Sequence, residues 1–333
     1  MCTVPLSLDA AHMLARDAFM ACGMPKPLAD PAAEALVLAE REGLPSHGLA
    51  RVPFYTAQMR ASKVVADAAP LVVRDGAVIR VDAGFGLAFA AIHAGAAAAR
   101  DVALDLGVAV VSVTHSHHFG VAGQAVEPFA RLGLIALAFA NAPAAIAPWG
   151  GTRALYGTNP VAFAAPREQG DPLLIDLSLS HVARGKVMLA QKAGHPIPEG
   201  WALDIHGNPT TDADAAMAGT MTPSGGAKGA ALALMVELLT AGLAGANFAW
   251  QASSLFDDQG PPPDLAHFIL VLDPARFAPG FTERAEAMFA AIETQPGARL
   301  PGARRMAERA LRAQTIEISQ ALHETLVQLG QKL

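Results

Sequence analysis

The architecture turns on one stretch, Val108-Ala109-Val110-Val111-Ser112-Val113-Thr114-His115-Ser116-His117-His118-Phe119-Gly120. Val108 to Val113 is apolar and mostly β-branched, the composition of a buried strand. The histidine-rich segment follows directly, and ligand-binding loops tend to sit at the carboxyl ends of buried strands. The run therefore reads as a core strand that delivers a loop to a site. The glycine pattern of a Rossmann fold is missing, because Gly84-Phe85-Gly86 lacks the third glycine of G-x-G-x-x-G. Ser224-Gly225-Gly226-Ala227-Lys228-Gly229 is no nucleotide-triphosphate loop either, since Gly229 stands where Ser or Thr must follow the lysine. What remains is an α/β body that is not a Rossmann domain.

Outward from this strand, Leu71–Val73 and Val78–Val81 are β-rich runs split by Asp75-Gly76, a hairpin signal. Gly86–Leu106 is Ala-rich and reads as a helix. Leu134–Ala140, Val161–Ala165, Leu173–Leu177 and Phe268–Leu272 read as strands. Helices are expected over Val182–Lys192, Gly229–Ala244, Thr282–Thr294 and Pro301–Gln331, with Pro196–Asp214 an ordered loop. At the start, Ser7 or Asp9 caps a helix running to about Cys22, Asp30-Pro31 opens a second that stops at Gly43, and a third spans His47–Arg60. With helices at both ends, residues 1–65 and 281–333 are expected to dock as one helical domain. Residues 66–280 then form the central cofactor- and substrate-binding α/β body.

The composition fits such a chain. Of 333 residues, 52% are hydrophobic and 16% charged, the opposite of a disordered sequence. Surface scaling lets roughly three-quarters of the unfolded surface be buried, and the density of apolar residues suggests an oligomer. The net charge of −6 shows no basic stripe, so nucleic acid is not an expected partner. Cys2 and Cys22 make no disulfide framework. The apolar stretch Gly229–Ala246 carries Glu237 and is read as a buried helix, not a membrane span. No secretory signal is seen at Met1–Asp9, and a cytoplasmic location is expected.

Five constellations carry chemistry. In Ser46-His47-Gly48-Leu49-Ala50-Arg51, a helical turn would put His47 and Arg51 on one face. A titratable imidazole beside a fixed guanidinium suits an anionic substrate that gains or loses a proton; the plainer reading is a capping serine and two surface side chains. His115-Ser116-His117-His118 could line a cofactor or substrate loop, lie in a loop without function, or hold a metal. The last is the weakest reading, because neighbouring loop residues rarely aim at one ion. Gly150 to Arg153 with Tyr156-Gly157-Thr158-Asn159-Pro160 offers close backbone approach and hydrogen bonds, as any turn between strands would. The Gly-rich turn at Lys228 is an anion site in principle. Arg299-Leu300-Pro301-Gly302-Ala303-Arg304-Arg305 could hold phosphates or simply cap a helix.

Taken in order, Ser46-His47-Gly48, His118-Phe119-Gly120, Gly157-Thr158-Asn159-Pro160, Ile197 to Asp204 with Gly207 to Asp212, and Gly225 to Glu237 resemble the type 2 malate/L-lactate dehydrogenase family over roughly residues 7 to 310. The resemblance implies a mixed or largely antiparallel sheet flanked by helices, a homodimer, and NAD(P)-dependent hydride transfer at C2 of a small 2-oxo, 2-hydroxy or 2-imino carboxylate. It implies His47 as proton donor or acceptor, Ser46 as its relay partner and Arg51 as carboxylate clamp. Thr158, Leu179 and Ser180 would line the substrate pocket. His117, His118, Phe119, Gly120, Val121, Asp176, Leu177, Ser178, Ala227, Lys228, Arg299, Leu300, Pro301, Gly302, Ala303, Arg304 and Arg305 would hold the cofactor. The arginines favour NADP(H), with NAD(H) possible. No metal is implied.

Within the family, His117-His118-Phe119 and the arginine segment look like the Δ1-pyrroline-2-carboxylate/Δ1-piperideine-2-carboxylate reductases, and reduction of a cyclic imine is the leading expectation. Oxidation of malate, lactate or 3-sulfolactate is the alternative, and an inactive binding scaffold the third. Lys186 stands where the reductases can carry an acidic relay. A Gly-Lys pair there looks more like the hydroxy-acid dehydrogenases, in which lysine could meet a second acidic group of the substrate.

Overall fold

In a computed structural model, which describes residues 3–331, the strand at the centre of the sequence reading lies near the middle of a seven-stranded sheet. Its strands are β2 (Leu71–Asp75), β3 (Val78–Asp82), β4 (Val108–Ser116), β5 (Ile135–Ala140), β6 (Val161–Ala165), β7 (Leu173–Leu177) and β11 (Leu265–Leu272). The order is β2-β3-β4-β11-β5-β6-β7. Only β3 and β4 pair in parallel; every other pair is antiparallel. This is the mixed, largely antiparallel sheet that the resemblance implied, with the hairpin at Asp75-Gly76 where the turn signal placed it. Helices α4 (Ala88–Leu106) and α5 (Gly123–Arg131) cover one face. Ala109, Val111 and Val113 of β4 alternate into that core. Each fully buried valine contributes about 1.5–3 kcal/mol. Gly95 lets α4 close on the sheet, since a Cβ there would lie 2.7 Å from Val111 Cγ1.

The two ends of the chain share a second core. β1 (Thr3–Ser7) pairs antiparallel with β12 (Thr315–Ser319). Around this ribbon pack α1 (Leu8–Met20), α2 (Lys26–Arg41), α3 (Val52–Arg60) and α11 (Gln320–Gly330), with Phe19, Leu36, Tyr55, Ile316 and Leu326 buried together. A third cluster gathers α6 (Arg184–Ala193), α7 (Ala213–Ala218) and a small sheet of β8 (Ala202–Leu203), β9 (Pro209–Thr210) and β10 (Thr220–Met221) around Ile146, Val187 and Met221. The remaining helices are α8 (Ala227–Glu237), α9 (Phe281–Glu293) and α10 (Ala303–Leu311).

Several expectations are corrected. The single terminal helix over Pro301–Gln331 is α10, β12 and α11, because Thr315-Ile316-Glu317-Ile318-Ser319 buries alternate residues against β1. Helix α2 begins at Lys26, so Asp30 is not its cap. Its carboxylate takes an i,i+4 bond from Lys26 at 2.6 Å, and Pro31 lies inside the helix. The helix expected from His47 is two 3₁₀ turns, Pro45–His47 and Leu49–Arg51, before α3. His115 and Ser116 belong to β4, not to the loop. The Pro196–Asp214 loop holds β8 and β9. Helix α8 is not wholly buried: Leu232, Leu234 and Met235 are exposed, and so is Leu238 in the helical turn that continues it. Among the described residues no helix is long and apolar enough to cross a membrane. Cys22 is a free thiol, and Cys2 lies outside the described residues.

Candidate functional site

The Ser46–Arg51 turn is fixed from below by an acid. Glu40 of α2, buried, accepts the Leu49 N–H at 2.8 Å. Gly48 permits this approach, because a Cβ there would collide with the Glu40 carboxylate. Ser46 Oγ meets His47 Nδ1 at 3.1 Å, leaving Nε2 for a reacting group. Arg51 donates from Nε to the Ser46 carbonyl at 2.8 Å, and its Cζ lies 4.9 Å from the Phe256 ring centre. Its Nη1 is buried and has no hydrogen-bond partner. The expected adjacency of His47 and Arg51 is present, although Gly48 breaks the helix between them.

The histidines after β4 diverge. His115 turns to Asp82 at 3.0 Å. His118 stacks on His47 at 5.5 Å, and its Nδ1 meets Tyr55 Oη at 2.6 Å. His117 is buried, with the Tyr55 ring edge-on at 5.5 Å and no hydrogen-bond partner for either ring nitrogen. Burial, then the positive charge of Arg51, pushes the His47 pKa down to about 4. Burial and the Lys63 charge push His117 to about 3, and burial holds His118 well below its ordinary value. Burial raises the Tyr55 phenol to about 12, so it remains a donor and His118 Nδ1 its acceptor. Phe119 stacks on His267 at 4.7 Å. Gly120, at φ +78, passes the Phe89 ring where a Cβ would come to 2.8 Å, and Val121 is buried beside it.

A second group converges from four segments. The Leu179 N–H and Ser178 Oγ both donate to the Thr158 carbonyl, at 2.8 and 3.3 Å. Ser180 Oγ meets Ser178 Oγ at 2.7 Å, and the Ser224 N–H donates to the Leu179 carbonyl at 2.8 Å. This brings Thr158, Ser178, Leu179 and Ser180 to the Gly-rich turn that opens α8 with Ala227 and Lys228. Glu237, buried, anchors the whole loop. It accepts from Asn159 Nδ2 at 2.8 Å, Ala249 N at 3.0 Å and Gly157 N at 3.2 Å, while burial raises its pKa.

The third group divides the cofactor candidates. Asp176, next to Leu177 at the end of β7, accepts the Gly123 N–H at 2.8 Å and the Arg305 guanidinium at 2.9 Å. It therefore caps α5 as well as pairing Arg305. Their charges both act on His47. Leu300 is buried, Pro301 is exposed, Gly302 packs where a Cβ would come 2.7 Å from the Leu174 carbonyl, and Ala303 opens α10. Arg299, Arg304 and Lys228 are exposed and form no ion pair among the described residues. Lys186 is exposed in the first turn of α6, and no hydrogen bond or ion pair of the described residues ties it to His47.

Sequence reasoning missed Glu40, Tyr55 and Phe256, and it noted Glu237 only as evidence against a membrane span. Glu237 had a signal, a lone acid in an apolar helix; Glu40 had a weaker one. Tyr55 and Phe256 had none, since their roles arise from packing between distant segments.

Residues 6–327 match the family model described as malate/L-lactate dehydrogenase. The chain is 59% identical over 321 residues to a (2R)-3-sulfolactate dehydrogenase (NADP(+)) of Chromohalobacter salexigens, covering 96% of each. It is similar to the crystal structure of Δ1-piperideine-2-carboxylate reductase from Pseudomonas syringae pv. tomato, at 38% identity and TM-score 0.92, over 98% of this chain and 99% of that one. It is also similar to sulfolactate dehydrogenase from Methanocaldococcus jannaschii, at 27% identity and TM-score 0.90, over 98% and 96%. A half-buried imidazole beside a buried guanidinium on a non-Rossmann sheet and a match over nearly the whole length agree: the chain belongs to the malate/L-lactate dehydrogenase family of oxidoreductases.

Proposed function

We propose that this protein is an NADP(H)-dependent dehydrogenase interconverting a small 2-hydroxy acid and its 2-oxo acid, with 3-sulfolactate and 3-sulfopyruvate as the pair. The observation that carries the reading is Arg51 Nη1, buried and without a partner beside the Ser46–His47 pair. A buried guanidinium donor left open costs free energy unless an anion meets it, and a substrate carboxylate is that anion. The choice of substrate is supported by the 59% identical relative and by Lys186 in Gly185-Lys186. Lys186 is our candidate partner for the second acidic group, the sulfonate.

When bound, the nicotinamide takes up or supplies the hydride at C2. His47 Nε2 takes the hydroxyl proton as C2 is oxidised and returns it in the reverse direction. Ser46 Oγ fixes the ring at Nδ1, and the low pKa of His47 keeps it neutral and ready to act as base at neutral pH. Arg51 fixes C2 by its carboxylate, a positioning effect. Thr158, Leu179 and Ser180 line the opposite side. For NADP(H), the exposed Arg299 and Arg304 are free to meet a 2′-phosphate, while Arg305 is committed to Asp176 and acts by holding α10 in place. His117–Val121, Asp176–Ser178, Ala227-Lys228 and Leu300–Ala303 complete the cofactor cradle.

We take the two chain ends, 1–65 and 281–333, as one helical domain against the 66–280 body. A second copy of the chain is our candidate cover for the outer face of α8. The described chain exposes 15208 Å², about 2,300 Å² more than the roughly 12,900 Å² expected for its mass. Leu234 of α8 and Leu238, in the helical turn that continues it, are 42% and 56% exposed.

A second reading, reduction of Δ1-pyrroline-2-carboxylate or Δ1-piperideine-2-carboxylate, is favoured by His117-His118-Phe119 and by reductases at 38% identity. The experiment is a panel of NADPH-oxidation assays with 3-sulfopyruvate, oxaloacetate, pyruvate and the two cyclic imines. We expect 3-sulfopyruvate to lead by tenfold or more in kcat/KM, about 1.4 kcal/mol in transition-state binding. A lead for either cyclic imine replaces the first reading with the second.

A further inference from the structure

Lys63, just beyond α3, has a side chain with no exposed surface. Its ammonium is held by main-chain oxygens: Ser254 at 2.7 Å, Gln259 at 2.7 Å and Asp257 at 3.3 Å, with Asp257 Oδ1 at 3.5 Å. A buried ammonium is costly unless its donors are satisfied, and here all of its acceptors lie on one irregular loop. Gln58 of α3 ties the same loop by donating from Nε2 to the Asp257 carbonyl at 2.8 Å. Between the two tied ends stands Phe256. Its ring lies against the Arg51 guanidinium at 4.9 Å and meets the Phe54 ring edge-on at 6.4 Å.

The guanidinium is thus held at Nε by Ser46 and on one face by Phe256, and its buried Nη1 has no partner among the described residues. A loop without regular hydrogen bonding would not hold an aromatic face there by itself.

We infer that Lys63 is a positioning residue for the substrate carboxylate, acting through the 254–259 loop and the Phe256 ring on Arg51. The inference rests on the reading of Arg51 as the carboxylate clamp. It predicts a KM effect without a comparable kcat effect, because the contact is made in ground state and transition state alike.

The test uses the full chain, with 3-sulfopyruvate as substrate, oxalate as an unreactive carboxylate probe and NADPH fluorescence as the cofactor readout. Lys63→Met and Phe256→Leu should each raise KM and the oxalate inhibition constant about tenfold, with kcat within about threefold. NADPH affinity should not change. Lys63→Gln, a milder variant in case Lys63→Met does not fold, should move KM in the same direction by less. Phe256→Tyr keeps the ring face and should stay within about twofold of wild type. The double variant should be no worse than either single one, since both act on one path. An unchanged KM in Phe256→Leu overturns the inference, and so does a double variant whose effects multiply to about a hundredfold. If the wild type turns over no 2-oxo acid, the functional reading falls. Oxalate binding to the NADPH complex, measured by calorimetry across the same variants, then decides the positioning role separately.

Discussion

Two stretches carry cations, and they treat them in opposite ways. In Ser46–Tyr55, Arg51 is buried, oriented from two sides and left with a buried, unpartnered Nη1. In Arg299–Arg309, the cations are sorted by exposure. Arg305 pairs with Asp176, and Arg309 bridges Glu127 and Glu42, which sit on α5 and directly after α2. Arg299 and Arg304 stay in solvent. Burial makes a cation a fixed donor for a small anion, while exposure leaves it to adapt to a large, hydrated phosphate. The first arrangement suits selection by geometry, the second by charge.

The comparison breaks first at His47. His47→Ala should leave NADPH affinity intact and lower kcat by about a hundredfold or more; wild-type turnover would remove His47 from the chemistry. Nearly as large is the expected displacement of the acid limb of hydroxy-acid oxidation. The base works when neutral, so activity is lost as pH falls through its pKa. With the pKa near 4, kcat/KM should hold well below the ordinary imidazole value of about 6.5, and a limb at that ordinary value would show that burial does not act on the working base.

Arg304→Ala should weaken NADPH about tenfold and NADH much less, about 1.4 kcal/mol of phosphate contact. Arg305→Ala should instead lower thermal stability and weaken both cofactors alike, because it leaves Asp176 unpaired. Equal NADPH and NADH losses in Arg304→Ala would erase the distinction between the two arginines. The last effect is on acid stability. His267 is buried neutral with its pKa near 3, so the unfolded state binds the extra proton between about pH 6.5 and pH 3. Stability should therefore fall as pH drops through that window. His267→Gln should remove up to one proton's worth of slope, about 1.4 kcal/mol per pH unit. An unchanged slope in urea titrations at pH 4 and 6 would contradict this.

The central sheet was legible because its strands announce themselves. Val108–Val113 is apolar and mostly β-branched, and Asp75-Gly76 is a turn with a mechanism. The ribbon of β1 and β12 was not, since each strand is five residues long and its partner lies more than 300 residues away. The alternation in Thr315–Ser319 was present but lost inside a longer helical pattern. Pro31 misled because a helix tolerates proline in its interior when packing supplies enough compensation. At the site, His47, Arg51 and Asp176 were carried by motif. Glu237 and Phe256 act through contacts with Asn159 and Arg51 that only the tertiary fold creates.

The β1–β12 ribbon has a consequence for synthesis. Ile316, Ile318 and Leu326 complete the core around the helices next to His47, and they are made some 300 residues after β1. The first strand must wait for its mate until β12 has been made, a closure of very high sequence separation that is slow to form. The helices beside His47 thus complete their core late, and a nascent chain stalled after Leu311 should be inactive and dependent on holdase chaperones.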